Sequence, residues 1–294
     1  MKKKYLIYFL VLLFAIFFLK KFNDFLRDYL ISLQKIPPQA AIIKQKKPPL
    51  DLEVKAAISK RIYNSKKTKI LYQKMADEIL PIASLTKLFT ATIVLENPND
   101  YPLEKTITIS EKAASQENVP EKGNYLVGDK ISVERLLKEM IAFSSNDGAY
   151  ALAEQIGVEN FVDKMNEKAK KLSLLNTHFV NPTGLDPEAI KFSSSSLSSF
   201  NFSTAKDLAN FAQYLIENYP FIFEISLSNG NFQKIRTQKT LVGGKTGYTD
   251  EAGGCMVLVL KDNAGYIINV ILGASSPQKR IEEMQKLINW IENQ

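Results

Sequence analysis

One stretch near the start of this chain sits badly in any water-soluble core. Residues Tyr5 to Leu19 (YLIYFLVLLFAIFFL) carry no charge, with Lys2, Lys3 and Lys4 before them and Lys20 and Lys21 after. Nothing alternates along the run at helical or strand period, so it has no water-facing side. As a helix it would span about 22 Å, against a hydrocarbon core of roughly 30 Å, and flanking lysines can snorkel across part of the difference. A signal-peptide h-region has the same shape, but Lys-Lys-Phe-Asn-Asp stands where a small-x-small cleavage site would follow. The expectation is an uncleaved membrane anchor. Phe22, Phe25, Leu26, Tyr29, Leu30 and Leu33 recur at helical spacing and extend it over residues 1–35, as further helix or as a segment lying in the interface. Lysines on both sides leave the orientation undecided by the positive-inside rule. Residues 36–53 follow as a linker; two Pro-Pro pairs and three lysines within 36–50 read as a semi-rigid, solvated spacer. That leaves 54–294 for a folded domain.

The charge balance splits along similar lines. Residues 1–74 hold 17 Lys+Arg and 4 Asp+Glu, a net +13; the remainder holds 21 and 27, a net −6, giving the +7 of the whole chain. A nucleic-acid enzyme carries its basic surface on the folded part, so no nucleic-acid partner is expected here. Apolar residues make up 45% of the chain, enough for an ordinary core. The single cysteine, Cys255, excludes an internal disulfide and reads as a small buried thiol. With one histidine, His178, beside it, there are too few soft ligands for zinc, and no metal or cofactor is expected. A Ser-His-Asp triad would have to use His178, which reads as a surface or packing residue, and no G-x-S-x-G occurs.

From residue 54 the pattern is a few strands, a long helical middle, then strands and a helix. Residues 54–62 and 68–74 form a hairpin around Asn-Ser-Lys-Lys. A helix runs from Ser84 to about Glu96, stopped by Asn-Pro, and 100–131 is mixed and loop-rich. Ser132 caps a helix through Ala142, with further helices near 147–156 and 158–172. A serine-rich loop covers 191–201, and Ser203 is the expected cap of the next helix. Strands follow around Lys245, at 255–260 and at 266–272. Ser276 and Pro277 open a last helix to about 292, with Trp290 as one of its packing residues.

S-x-x-K puts a hydroxyl and an amine on one helix face, where a neutral amine can take the hydroxyl proton. Burial and a second cation would lower the amine pKa enough. The pattern occurs four times, at Ser32, Ser84, Ser203 and Ser276, and most such pairs are helix caps beside solvated lysines. S-x-N occurs at Ser144–Asn146 and Ser199–Asn201, and K-T-G once, at Lys245–Gly247. Only Ser32 and Ser84 precede both S-x-N matches, and Ser32 lies beside the anchor. Gly243 and Gly244 read as a plain turn; Lys245-Thr246 does not.

The ordered set ASLTK (83–87), SSND (144–147) and KTGYTD (245–250) resembles the penicillin-recognising serine peptidases. FVNPTGLD (179–186), STAKDLA (203–209) and AGGC (252–255) are similar to one branch, the D-Ala-D-Ala carboxypeptidases (low-molecular-mass penicillin-binding proteins), over roughly 54–294. Ser145 stands where that branch usually has glycine. The resemblance implies an α+β fold: an antiparallel sheet flanked by N- and C-terminal helices, with an inserted all-helical region, as in β-lactamases and transpeptidases. It also implies Ser84 as nucleophile, Lys87 as general base and Ser144 as proton relay to the leaving amine. Asn146 would hold the substrate amide and orient Lys87. Lys245 would supply a positive field for the substrate carboxylate, and Thr246 would hydrogen-bond it. Gly247 would let the substrate backbone approach as an added strand. The N–H groups of Ser84 and Tyr248 would form the oxyanion hole.

The implied activity is removal of the terminal D-Ala from peptidoglycan stem peptides, with β-lactams as covalent inhibitors. Such a substrate lies outside the cytoplasm, which favours an N-in, C-out membrane anchor. The rival readings are a β-lactamase, a D,D-endopeptidase and a silent penicillin-binding module. Against the first, Leu172 stands where a class A enzyme has its deacylating glutamate.

Overall fold

The computed structural model describes residues 2–34, 50–64, 67–120, 122–187, 199–230 and 232–293, and divides into two units, Met1–Pro49 and Leu50–Gln294. The expected spacer (36–49), most of the Ser-rich loop (191–198) and the side chains of residues 2–13 lie outside the described residues. The first unit is one helix, α1 (Lys2–Gln34). The amphipathic stretch after Lys21 therefore continues the apolar run as helix. Its described aromatic side chains, among them Phe17, Phe22 and Phe25, are exposed. Among the described residues no helix is long and apolar enough to cross a membrane.

In the second unit β1 (Ala56–Asn64) and β2 (Lys67–Lys74) form the expected hairpin; β3 (Leu80–Pro81) and a 3-10 turn (Ala83–Leu85) lead into α2 (Thr86–Glu96). The middle contains β4 (Thr106–Thr108), α3 (Glu111–Ala114), β5 (Lys130–Ser132), α4 (Val133–Ala142), α5 (Asn146–Glu154) and α6 (Val158–Lys171). Next come β6 (Phe202–Ser203), α7 (Ala205–Asn218), α8 (Phe221–Ser226), β7 (Thr240–Thr249), β8 (Gly253–Asp262), β9 (Gly265–Ala274) and α9 (Pro277–Glu292).

The main sheet has the order β2-β1-β9-β8-β7, antiparallel throughout. β1 pairs with β9, Ala56 opposite Leu272, so the two ends of the unit meet in one sheet. The helical region is inserted between β2 and β7, and β7 is left at an edge. This is the α+β arrangement expected. Successive side chains of a strand face opposite ways. Met256, Leu258 and Leu260 of β8 therefore pack with Met284, Leu287 and Ile288 of α9. Cys255, Val257 and Val259 pack on the other face with the helical region, including Ala209 and Ala212 of α7. Both faces are covered, so β8 reads as one continuous apolar run.

α2 runs through the middle of the helical region, buried from Thr86 to Val94. Its polar residues are thereby drawn into the core and need internal partners.

Two local expectations change. Thr204, not Ser203, caps α7, accepting from Asp207 N–H at 3.0 Å; Ser203 is one residue too early because it pairs with Leu80 in a short ladder. Gly243 and Gly244 are not a turn but lie inside β7. A Cβ at Gly243 would strike the Phe223 carbonyl, and one at Gly244 the Val257 carbonyl, so close backbone approach accounts for both.

Candidate active site

Ser84 lies inside the 3-10 turn, and neither cap of that turn nor of α2 uses a serine hydroxyl. The expected helix therefore begins two residues later, and the hydroxyl is released for another contact. The turn is bent by Ala83, which has φ +47°. Gly184 packs against the Ala83 carbonyl so closely that a Cβ there would overlap it. One turn on, Lys87 is fully buried. Its Nζ is 2.9 Å from Ser84 Oγ and donates to Asn146 Oδ1 at 2.7 Å and to the Thr183 carbonyl at 2.6 Å. Burial, and then the charge of Lys245, hold the Lys87 amine well below the usual lysine value, with Glu117 opposing.

The second group comes from the corner between α4 and α5. Ser144 takes a left-handed conformation, φ +66°, which turns its hydroxyl to Lys245 Nζ at 2.8 Å. Ser145 caps α5, its Oγ accepting from Gly148 N–H at 3.0 Å. Asn146 faces Lys87 with its oxygen, and its Nδ2 donates to the Glu117 carbonyl at 2.7 Å.

The third group is on edge strand β7. Lys245 is buried and also donates to the Thr246 carbonyl at 2.9 Å. Burial, with Arg280 nearby, lowers its pKa to about 7. Arg280 of α9 donates to the Gly247 carbonyl at 2.7 Å. Gly247 has a nearer task than admitting a substrate backbone: a Cβ there would stand 2.9 Å from Ser84 N and 3.1 Å from Ala83 Cβ. Its missing side chain is what allows the serine turn to lie on the strand.

Ser84, Ser144, Asn146, Thr246, Gly247 and Tyr248 all line one cleft of about 790 Å³, with Lys87 and Lys245 buried beside it. All eight residues singled out in the sequence thus converge. The other described S-x-x-K pairs are ordinary: Lys206 ion-pairs with exposed Asp77, and Ser276 caps α9 while Lys279 meets Glu53. Among the described residues no group of His, Cys, Asp or Glu is placed to hold a metal.

Three contributors escaped the sequence reading. Asn201, the end of the second S-x-N match and given no role in the sequence, is buried. It accepts from Val180 N–H at 2.7 Å and donates to Thr86 Oγ1 at 3.0 Å, which fixes the loop carrying Thr183. Thr183 acts through a backbone carbonyl, which has no signature in a sequence. Arg280 reaches the site from a helix whose pattern signals only packing.

A family model described as D-alanyl-D-alanine carboxypeptidase (peptidase S11) matches residues 43–276. The chain is 33% identical over 244 residues to the D-alanyl-D-alanine carboxypeptidase DacF of Bacillus subtilis, covering 76% of this chain and 58% of that one. It thus spans less than three-fifths of that relative. It is 30% identical over 278 residues to a D-alanyl-D-alanine endopeptidase of Pseudomonas aeruginosa, covering 87% and 81%. Among solved structures, penicillin-binding protein D2 of Listeria monocytogenes in its ampicillin-bound form matches with a TM-score of 0.67 at 28% identity, covering 84% of this chain and 100% of that one. With its motif residues gathered in one cleft of this fold, the chain belongs to the D-alanyl-D-alanine carboxypeptidase family of serine peptidases.

Proposed function

We propose that this protein is a serine D,D-carboxypeptidase that removes the terminal D-Ala from peptidoglycan stem peptides. The observation that carries the reading is the environment of Lys87. A neutral amine has two N–H bonds and one lone pair. Asn146 Oδ1 and the Thr183 carbonyl accept both N–H bonds, which leaves the lone pair for the hydroxyl proton of Ser84, 2.9 Å away.

In this mechanism Lys87 takes the Ser84 proton as Oγ attacks the penultimate D-Ala carbonyl. The N–H groups of Ser84 and Tyr248 receive the developing oxyanion; one such donor is typically worth about 10²–10³ in rate. The substrate C-terminal carboxylate lies against Thr246, in the field of Lys245 and Arg280. Ser144, held by Lys245, relays the proton that Lys87 took from Ser84 to the departing D-Ala amine, which leaves Lys87 neutral again. Water, deprotonated by Lys87, then cleaves the acyl ester. Penicillin, with its own carboxylate and strained amide, acylates Ser84 in the same way. Release is slow: by sequence Leu172 stands where a class A β-lactamase has its deacylating glutamate, and it packs against the core and does not line the cleft.

D,D-Endopeptidase action on cross-links is the second reading, and the likeness to the P. aeruginosa endopeptidase supports it. We also propose that residues 1–35 anchor the enzyme with its folded unit outside the cytoplasm, where the polymer lies. Carbonate extraction of membranes from cells making the full chain tests this: release into the supernatant refutes it.

The decisive experiment is intact-mass analysis after fluorescent penicillin, on wild type and Ser84→Ala. A single adduct, absent from the variant, is expected; no adduct on wild type would point to a silent module. Rapid turnover of a chromogenic β-lactam would instead indicate a β-lactamase. D-Ala release from a pentapeptide, compared with cleavage of a cross-linked dimer, separates the two peptidase readings.

A further inference from the structure

Three consecutive residues at the start of α5 hold the same stretch of chain. Ser145 Oγ donates to the Gly123 carbonyl, Asn146 Nδ2 to the Glu117 carbonyl at 2.7 Å, and Asp147 Oδ2 accepts from Tyr125 N–H at 2.8 Å. The stretch is also tied to itself. Val119 N–H donates to Asn124 Oδ1 at 3.0 Å, and Asn124 Nδ2 donates to the Val119 carbonyl at 2.8 Å. A displacement at Gly123 is therefore carried to Glu117.

Ser145 and Gly123 are a matched pair. Ser145 is fully buried, and a Cβ on Gly123, at φ +94°, would stand 2.6 Å from the Ser145 Cβ. The serine side chain occupies the space that any residue but glycine would need at 123. Its hydroxyl uses both of its capacities, accepting from Gly148 N–H at 3.0 Å and donating to Gly123.

The consequence falls on Asn146. A side-chain amide can present either its oxygen or its nitrogen to a neighbour. A carbonyl oxygen only accepts, so the Glu117 carbonyl takes the nitrogen and turns the oxygen to Lys87. Were Glu117 to move away, the amide could turn, and Lys87 would lose one of the acceptors that aim its lone pair at Ser84.

We propose that Ser145 is a positioning residue: by holding Gly123, and through the Asn124–Val119 pair, it fixes Glu117, so that the Glu117 carbonyl pins the Asn146 amide with its oxygen on Lys87. The catalytic consequence rests on the reading of Lys87 as proton acceptor given above.

Ser145→Gly is the informative variant. Glycine replaces serine at a helix N-cap with only a small loss of stability, so the cap is nearly preserved while the hold on Gly123 is removed. Two measurements are made on the full chain: the second-order rate of acylation by fluorescent penicillin from pH 5 to 9, and hydrogen exchange across 117–125. Faster exchange of the Tyr125 amide is expected, with acylation slower on the order of tenfold. The acid limb of the profile should also move to higher pH as Lys87 becomes better solvated. The charged groups facing that lysine are Lys245 on β7 and Glu117 on the segment, with Arg280 of α9 acting on Lys245. Faster exchange with an unchanged rate and profile would make Ser145 structural only and overturn the proposal. Unchanged exchange would overturn it as well. If wild type takes no penicillin, it is the functional reading that fails, and hydrogen exchange alone then decides whether Ser145 holds the segment.

Discussion

Gly247→Ala tests whether the turn that carries Ser84 rests on the edge strand. The added Cβ would lie 2.9 Å from Ser84 N, 3.1 Å from Ala83 Cβ and 3.2 Å from the Ile82 carbonyl. The shortest of these is about half an ångström inside ordinary contact, and all three neighbours belong to one turn. The strand cannot retreat freely, since the Gly247 carbonyl is held by Arg280 at 2.7 Å and Gly247 pairs with Cys255 of β8. The turn must move instead and take Ser84 with it. Overpacking of this kind costs about 1–3 kcal/mol, which lowers the Tm of a domain of this size by roughly 2–12 °C. A 1 Å misplacement at a reacting centre can cost about 10²-fold, so half that displacement should slow acylation of Ser84 about tenfold. Stopped-flow labelling with fluorescent penicillin and a thermal melt measure both. Acylation within twofold of wild type, at an unchanged Tm, would mean that Ser84 does not pack on β7, and the convergence argued here would fail. A lowered Tm with an unchanged rate would mean that the strain is absorbed away from Ser84.

Asn201→Ala removes acceptors of the Val180 and Asn181 N–H groups and a donor to Thr86; the loss should be about 2–4 kcal/mol in urea unfolding, with slower acylation because Thr183 is no longer held on Lys87. Lys245 has a folded pKa of about 7 and an unfolded one near 10.4, so between these values the unfolded chain binds more protons and its contribution to stability rises with pH. Each pH unit in that window is worth about 1.4 kcal/mol. Lys245→Met should remove this slope, and parallel slopes for the two proteins from pH 7.5 to 9.5 would contradict the buried, depressed lysine. Leu287→Ala empties a fully buried site between α9 and the sheet; the expected cost is about 2–5 kcal/mol, seen in urea midpoint, with acylation at 25 °C intact.

Much of the fold was legible because its signals are local. The hairpin of β1 and β2, the caps at Ser132 and Ser276, and the continuous apolar run of β8 each depend on residues within a few positions. The misreadings came where a distant segment intervenes. Ser203 resembles a cap but is claimed by β3, more than a hundred residues away in sequence. Gly243 and Gly244 resemble a turn, yet their glycine character answers to α8 and β8 pressing on the strand.

The active site divides in the same way. Order along the chain left only Ser32 and Ser84 of the four S-x-x-K serines, and the place of Ser32 beside the expected anchor left Ser84. Spacing could supply neither the burial that holds the Lys87 amine well below the usual lysine value nor the acceptors, Asn146 Oδ1 and the Thr183 carbonyl, that face it. Thr183 contributes a backbone oxygen, Asn201 a support for that oxygen, and Arg280 a cation from the far end of the chain. Residue identities along the chain determined which side chains could do chemistry. Tertiary packing decided their protonation and direction, since the energy of a buried charge depends on every neighbour brought around it and not on its place in the sequence.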